Sequence, residues 1–357
     1  MRANWSFALL AVALSACGSS KPAGSSSSTT TSGAAATGAS SSTSGSSGAS
    51  TSTGSTGASD STGSTGSGST SSSSSSSGSS GSGSSGSTGT DPLITARPYY
   101  SHAPTGFDPN TPLPLIVMLH GYGVDHNIEG IYLQIDAQVD ARQFFYAAPD
   151  GTVDNTGSRF WNATDACCNF YNSPVDDVAY LTALVNDMKS RYPIDPKRVF
   201  FVGHSNGAFM SHRMACDRAD MIAAIVSLAG AVWDDPAMCS PSVPVSVVEV
   251  HGDADATIAY DGGTADNTAG LPPFPSAPQT VATWASKDNC PGEPTDAGAI
   301  LDIETVLAGD ETRVSRYDTC PVGDVELWTI QGGQHIPALG NQWPGVALDW
   351  LFAHPKP

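Results

Sequence analysis

The sequence predicts an α/β fold in which a mainly parallel sheet is flanked by helices. Short apolar runs rich in β-branched and aromatic residues alternate with stretches of helical spacing. Several of these runs end directly in glycine and polar residues, which is typical of the carboxyl edge of a parallel sheet. Right-handed crossovers between such strands give a sheet that is covered on both faces.

Seven runs are predicted to be strands: residues 97–101, 114–119, 143–148, 199–202, 221–228, 244–250 and 325–330. Helical spacing is found at residues 125–142, from 173 onward, and at 208–218, 279–287 and 343–354. Ser173 is predicted to cap the second helix, because a proline follows it and Asp176 stands three residues on.

The amino terminus, residues 1–16, is predicted to be a lipoprotein signal peptide. Arg2 supplies positive charge, and the apolar stretch that follows is too short to span a membrane. The sequence Leu14-Ser15-Ala16-Cys17 resembles a lipobox, which predicts cleavage before Cys17 and a lipid on its sulfur. An ordinary secretory signal that happens to contain a cysteine is the alternative.

Residues 17–90 combine the lipidated Cys17 with a linker of Ser, Gly, Thr and Ala that is too polar to fold. Residues 91–357 are predicted to form one globular domain. The protein is expected outside the cytoplasm, anchored to the outer membrane or cell surface or secreted, and as a monomer. The net charge of −19 argues against nucleic acid as a partner.

Six further cysteines suggest disulfides, as expected for an exported chain: Cys167, Cys168, Cys216, Cys239, Cys290 and Cys320. Sequence alone leaves 15 pairings open. A bond between Cys290 and Cys320 is the first choice, because both fall in a loop-rich region. A zinc site is disfavoured by the absence of a C-x-x-C spacing, and no metal or cofactor is expected.

A nucleophile elbow is predicted at residues 203–207, where Gly-His-Ser-Asn-Gly fits the pattern G-x-S-x-G. An apolar strand precedes it and a helical stretch follows, which is the context that such an elbow requires. The glycines allow Ser205 to occupy a sharp turn with its hydroxyl exposed. The alternative is an ordinary glycine-rich turn between two elements.

An acid and a histidine follow at later strand ends, in the chain order Ser, Asp, His that is typical of the α/β-hydrolase fold. His335 is predicted to be the general base, and Asp255, preferred over Asp253, orients its ring. Backbone N–H groups of Tyr122 and Asn206 are the predicted oxyanion donors.

The other histidines are given lesser roles. His120 and His251 are predicted to pack behind the site, whereas four are predicted to be solvated: His102, His126, His212 and His354. The acids near Asp255 do not match the spacing of a calcium loop.

Loops 152–172 and 258–280 are predicted to shape the substrate pocket. Four aromatic residues are candidate substrate-binding walls: Trp161, Trp233, Phe274 and Trp343. Core packing is the equal alternative for each of them.

The motifs P-L-P-L-I-V-M-L-H-G, W-N-A with C-C nearby, G-H-S-N-G-A-F-M, H-G-D-A-D and G-G-Q-H together resemble secreted polyhydroxybutyrate depolymerase-like and feruloyl esterase-like α/β-hydrolases of the carbohydrate esterase group. The resemblance covers residues 97–352 and implies Ser205 as nucleophile, Asp255 as acid and His335 as base. Here Trp343-Pro344-Gly345 follows the histidine only after a seven-residue stretch, and Ala256 replaces the usual proline.

The resemblance implies a serine esterase that cleaves ester bonds of acylated or feruloylated plant polysaccharide, or of short polyhydroxyalkanoates, through an acyl-enzyme on Ser205. Two alternatives stay open at this point. The chain could be an inactive surface-binding lipoprotein on a hydrolase scaffold, or a serine peptidase of the same fold.

Overall fold

The computed structural model describes residues 91–265 and 270–357. The predicted signal peptide and the linker with Cys17 lie outside the described residues. So do residues 266–269, which belong to one of the two predicted pocket loops.

The strands are β1 (Tyr100–His102), β2 (Leu113–Leu119), β3 (Phe145–Ala148), β4 (Thr152–Val153), β5 (Arg159–Phe160), β6 (Ile194–His204), β7 (Ala224–Leu228), β8 (Ser246–Gly252), β9 (Thr295–Leu301), β10 (Thr312–Arg316) and β11 (Val325–Ile330). Nine of them form one sheet in the order β1-β3-β2-β6-β7-β8-β11-β10-β9, while β4 pairs with β5. The six central strands from β3 to β11 are parallel, and β1, β10 and β9 are antiparallel to their neighbours.

The α/β fold class and the seven expected strands are confirmed, with ends shifted by a few residues. Strands β9 and β10 were not predicted, because neither carries a run of β-branched and aromatic residues. Strand β10 reads T-R-V-S-R, and only two of its five residues are buried. Strand β10 lies next to the edge strand β9, and such strands lack the continuous apolar signal of a strand that is buried on both faces.

The helices are α1 (Pro92–Ala96), α2 (His126–Leu133), α3 (Val139–Arg142), α4 (Asp177–Arg191), α5 (Asn206–Asp217), α6 (Ala277–Lys287) and α7 (Trp343–Ala353). Within the two described ranges, none of them combines the length and apolar character that a membrane span would require.

The sheet separates two apolar layers. Alternate residues of β2 point to opposite faces, so Leu115 and Val117 join one layer while Ile116 and Met118 join the other. Helices α4, α5 and α6 contribute to the first layer, and α2, α3 and α7 contribute to the second. The central strands are therefore buried on both sides, which holds their carboxyl ends in fixed relative positions.

Helix α4 begins later than predicted. Asp176 is its N-cap and accepts a hydrogen bond from the Ala179 N–H at 2.9 Å. The prediction that Ser173 caps this helix is wrong, because the Ser173 N–H donates to the Asn169 side chain in the preceding loop. A carboxylate directly at the first turn also interacts favourably with the helix dipole.

Three disulfides are present in the described residues. The predicted bond between Cys290 and Cys320 is confirmed, and it joins the end of α6 to the segment before β11. A second bond, Cys216–Cys239, ties α5 to the loop after β7, and a third, Cys167–Cys168, joins adjacent residues.

Candidate active site

Three strand ends meet at one edge of the sheet. Strands β6, β8 and β11 run parallel in the order β6-β7-β8-β11, so their carboxyl ends lie side by side. Ser205 follows β6 directly, Asp255 lies three residues after β8, and His335 lies five residues after β11. Residues separated by up to 130 positions in the chain are thereby brought together.

Ser205 stands at a sharp turn between β6 and α5. Its φ of 54° and ψ of −123° place a non-glycine residue in a sparsely populated backbone region. The Ser205 N–H is held by the Leu228 carbonyl at 2.8 Å, and the Ser205 carbonyl accepts from the first turn of α5. The turn is fixed at both sides, so the side chain points out of the strand-to-helix corner.

The two glycines of the elbow are required by close backbone approach. A Cβ at Gly203 would overlap the Gly207 carbonyl, and a Cβ at Gly207 would overlap the Leu119 carbonyl at the end of β2. Neither obstacle is a flexible side chain that could move away. The pattern G-x-S-x-G is therefore the steric condition for packing the elbow against its neighbouring strand.

His335 bridges the other two groups. Its Nδ1 lies 2.8 Å from Asp255 Oδ2, and its Nε2 lies 2.9 Å from Ser205 Oγ. Asp255 Oδ1 also accepts the N–H groups of Thr257 and Ile258, which fixes the plane of the carboxylate. With that carboxylate ionised, Nδ1 donates to it and Nε2 is free to accept the hydroxyl proton.

Asp253, the rival acid, has a different position. It is exposed, and its Oδ1 accepts the Gly332 N–H at 2.6 Å. Asp253 thus supports the loop that carries His335 without contacting the imidazole.

The electrostatics of the site favour a neutral histidine beside an ionised acid. Burial lowers the pKa of His335, and Asp255 offsets this only in part. Burial alone would raise the pKa of Asp255, but hydrogen bonds from His251 and His335 hold it well below its usual range. Near neutral pH the ring can therefore act as a proton acceptor.

The predicted oxyanion donors have free N–H groups. Among the described residues, the Gly121 N–H is taken by Glu129 and the Gly123 N–H by the Arg159 carbonyl, whereas the Tyr122 N–H between them has no partner. Asn206 is the first residue of α5, so its N–H has no acceptor within the helix. Both donors belong to segments that meet beside Ser205.

The side chain of Asn206 holds a second part of the site in place. Its Oδ1 accepts the Trp161 N–H at 2.6 Å, and its Nδ2 donates to the Trp161 carbonyl at 3.0 Å. The Trp161 indole N–H in turn donates to the His120 carbonyl. These buried bonds join the nucleophile elbow, the loop after β5 and the segment that carries Tyr122.

His204, the second residue of the elbow, links two more segments. Its Nε2 donates to the His335 carbonyl at 3.0 Å, and its Nδ1 lies 3.3 Å from Glu129 Oε1. Burial would lower the pKa of His204, but the Glu129 charge raises it above its usual value. The backbone of His335 and the helix after β2 are therefore both connected to the elbow.

The predicted aromatic walls are all buried in the structure. Trp343 is fully buried in the α7 layer, on the face of the sheet opposite α5, and it stays a prediction as a substrate contact. Trp161 is fully buried and contributes through the hydrogen bonds above. Trp233 and Phe274 lie in the layer of α5, with at most 6 % exposure, and stay predictions as substrate contacts.

Two other histidines, His120 and His212, are buried. His120 is packed as expected, between the Gly121 carbonyl and the Gly151 N–H. The prediction that His212 is solvated is wrong, because it is fully buried between Glu249 and Trp284. The helical spacing of α5 gave no sign that a polar ring would face the sheet.

No metal site accompanies this arrangement in the described part of the chain. Residues 91–265 and 270–357 contain no group of three or more His, Cys, Asp or Glu side chains suited to hold a metal ion.

Comparison with known proteins agrees with this geometry. Residues 108–269 match the Phospholipase/Carboxylesterase family model. The chain is 28% identical to the putative esterase NocK of Nocardia uniformis subsp. tsuyamanensis, over 70% of this chain and 71% of that protein. It is 29% identical to feruloyl esterase B of Piromyces equi, over 51% of this chain but only 32% of that protein.

The chain resembles the feruloyl esterase-like α/β-hydrolases. With the family match, these relatives show a carboxylic ester hydrolase. The fold is shared with the acetyl xylan esterase from Aspergillus awamori, with a TM-score of 0.50 and 15% identity, over 70% of this chain and 94% of that one.

Sequence reasoning missed the buried carboxylates of this esterase. Glu129 and Glu249 are 2% and 0% exposed, and each pairs with a histidine close to the site. Glu249 lies in the middle of an apolar strand, P-V-S-V-V-E-V, and this exception to the pattern was the available signal. A charge in such a strand must have a buried partner.

The Asn206 bridge gives a testable prediction. Replacing Asn206 with Ala leaves the Trp161 N–H and carbonyl buried without partners, at a cost of about 1–3 kcal/mol for each group. We expect urea unfolding of the disulfide-intact Asn206→Ala variant to show a free energy of unfolding that is lower by about 2–6 kcal/mol.

The matched control is Asn186→Ala on the exposed face of α4, which should change stability by less than about 0.5 kcal/mol. Equal stability of the two variants would contradict the bridging role.

Proposed function

We propose that Ser205 is the nucleophile, His335 the general base and Asp255 the orienting acid of an esterase that forms an acyl-enzyme. The observation that carries this proposal is the position of the His335 ring, within 2.9 Å of the Ser205 hydroxyl and 2.8 Å of the Asp255 carboxylate. A serine hydroxyl becomes an effective nucleophile only when such a base removes its proton during attack.

In the first half-reaction, Ser205 Oγ attacks the ester carbonyl carbon while its proton moves to His335 Nε2. The carbonyl oxygen gains negative charge and is stabilised by the N–H groups of Tyr122 and Asn206. The imidazolium then gives its proton to the leaving alcohol oxygen as the carbon–oxygen bond breaks. Asp255 stabilises the imidazolium and keeps Nδ1 as the donor throughout.

In the second half-reaction, water takes the place of the alcohol. His335 removes a proton from the water, which attacks the acyl carbon, and the same proton returns to Ser205 Oγ as the acid leaves. The products are one alcohol and one carboxylic acid, and the residues return to their starting protonation states. No cofactor is required for either step.

The substrate class that we propose is an acylated or feruloylated plant polysaccharide. The names of the relatives support it, since they include feruloyl esterases and a bifunctional acetylxylan esterase/xylanase from Neocallimastix patriciarum. Short polyhydroxyalkanoate esters are the second class to be tested. The intact geometry of Ser205, His335 and Asp255 disfavours an inactive binding scaffold.

We further propose that the enzyme acts outside the cytoplasm and is tethered through a lipid on Cys17. The lipobox-like Leu14-Ser15-Ala16-Cys17 and the polar linker up to residue 90 support this arrangement. Such a tether would let residues 91–357 reach polymeric substrate at a distance from the membrane.

The first test removes the nucleophile. We expect Ser205→Ala to lower kcat/KM for 4-nitrophenyl acetate by at least about 10³-fold, because the hydroxyl forms the covalent intermediate. The panel also includes methyl ferulate, acetylated xylan and hydroxybutyrate oligomers. Turnover of 4-nitrophenyl acetate, methyl ferulate and acetylated xylan, without turnover of the hydroxybutyrate oligomers, supports the plant-polysaccharide class.

The control is Ser227→Ala in β7, which removes a buried hydroxyl that has no hydrogen-bond partner among the described residues. It should retain the activity of the parent protein. Parent-level activity in Ser205→Ala would refute the assigned nucleophile, and turnover of the oligomers alone would refute the substrate class.

The second test concerns the anchor. When the full chain is expressed in bacteria with an alkyne-bearing palmitate, we expect the parent and Ser19→Ala proteins to carry the label and to enter the detergent phase. Cys17→Ser should remain unlabelled. An unlabelled parent protein, or a label that persists in Cys17→Ser, would exclude lipidation at this residue.

A further inference from the structure

A row of buried polar side chains extends from Asp255 away from Ser205 and into the protein. His251 Nε2 lies 3.4 Å from Asp255 Oδ2, and His251 Nδ1 lies 3.0 Å from Glu249 Oε1. Glu249 Oε2 lies 3.1 Å from His212 Nε2, and Trp284 contacts the far side of that ring. The exposed fractions of His212, Glu249 and His251 are 0%, 0% and 1%.

The inner end of the row fixes the state of His212. The Trp284 indole can only donate, and its Nε1 lies 3.0 Å from His212 Nδ1, which must therefore accept. His212 Nε2 then carries the ring proton and donates it to Glu249. The Gly230 N–H donates to the same carboxylate at 3.1 Å. Glu249 thus accepts hydrogen bonds from His212 and from the Gly230 N–H, in addition to its contact with His251. This is the behaviour of an ionised carboxylate.

The outer end of the row fixes the state of His251. Its Nε2 lies 2.8 Å from the Ile258 carbonyl, which can only accept, so this nitrogen carries a proton. Its Nδ1 faces the carboxylate of Glu249, which also accepts. Both ring nitrogens therefore donate, and a ring that donates from both is an imidazolium.

The surroundings of His251 and Glu249 shift their pKa values in the directions that this assignment requires. Burial would lower the pKa of His251, but hydrogen bonds to Asp255 and Glu249 raise it to about 9. Burial would raise the pKa of Glu249, but hydrogen bonds from His212 and His251 hold it below its usual value. Glu249 and His251 thus form a buried ion pair near neutral pH.

We propose that His251 is a positioning residue that stays protonated while the enzyme works, orients the Asp255 carboxylate toward His335, and keeps His335 neutral through its positive charge. This role supports the catalytic roles proposed for Ser205, His335 and Asp255, so it rests on the proposed function. His251 touches neither the nucleophile nor the bond that is cleaved, and it acts through Asp255 and through its charge.

Other charged groups around these rings bear on the test. His335 also faces His204, which Glu129 pairs on the α2 side. The ring of Tyr260 packs edge-on against His251, and its hydroxyl is bonded to Thr329 in β11. These groups are the same in every variant below, so differences between variants report on the Glu249–His251 pair.

The test compares pH profiles of kcat/KM for 4-nitrophenyl acetate. The acid limb reports protonation of the free base, which must be neutral to act. A neighbouring cation disfavours protonation of His335, so removing it raises the pKa of that ring. We expect His251→Gln to move the acid limb upward by about 0.5–1 pH unit and to lower kcat about tenfold, with little change in KM.

The control is Val281→Ala, which removes buried methyl groups from α6 in the same core layer and leaves all of the polar row intact. It should lower the melting temperature and keep the pH profile of the parent. A merely structural role for His251 would give His251→Gln the same behaviour as this control, and that result would overturn the proposal.

A second measurement needs no activity. In Ser205→Ala protein labelled with ¹⁵N-histidine, we expect both ring nitrogens of His251 to show the chemical shifts of protonated nitrogens at pH 7. In the same background, Glu249→Gln should abolish this signature. A neutral His251 in Ser205→Ala would overturn the proposal even if His251→Gln failed to fold.

The proposed function and the role of His251 would be refuted by different results. Parent-level activity in Ser205→Ala would remove the proposed function and leave the protonation state of His251 measurable by NMR. Inactivity of Ser205→Ala together with an unshifted acid limb in His251→Gln would keep the function and remove the role of His251.

Discussion

The close approach of the nucleophile elbow to the end of β2 is the constraint on which the site depends. The Cα of Gly207 packs against the Leu119 carbonyl with no space for a side chain, and Gly203 packs in the same way against Gly207. This packing holds Ser205 at its positive φ and brings its Oγ to the edge of the sheet. It also sets the loop after β2, which carries Tyr122, beside the start of α5.

Buried charges surround His335 on two sides. Asp255, backed by the His251–Glu249 pair, lies on the side of Nδ1, and the His204–Glu129 pair lies beneath the backbone of His335. Each carboxylate is compensated by an imidazole, because an unpaired buried charge would cost several kcal/mol. The arrangement leaves His335 with a lowered pKa and an ionised partner, which are the two conditions for a base that works near neutral pH.

Features that have a local sequence pattern could be predicted from the sequence alone. The central strands are continuous apolar runs, and the elbow and the order of Ser205, Asp255 and His335 follow from motifs at strand ends. Contacts that depend on tertiary packing left no such pattern, including the Asn206–Trp161 bridge and the pairing of His204 with Glu129. The burial of Trp343 in the α7 layer left no pattern either, because an aromatic residue at a helix start looks alike in sequence whether it lines a pocket or fills a core.

The most direct test of the account is to label the folded enzyme with a fluorophosphonate and to locate the adduct by peptide mass spectrometry. If Ser205 is the nucleophile, one adduct forms, on Ser205 in the peptide that spans β6 and α5, and it is lost when the protein is unfolded before labelling. An adduct on a different serine, or no adduct in a preparation that hydrolyses esters, would contradict it.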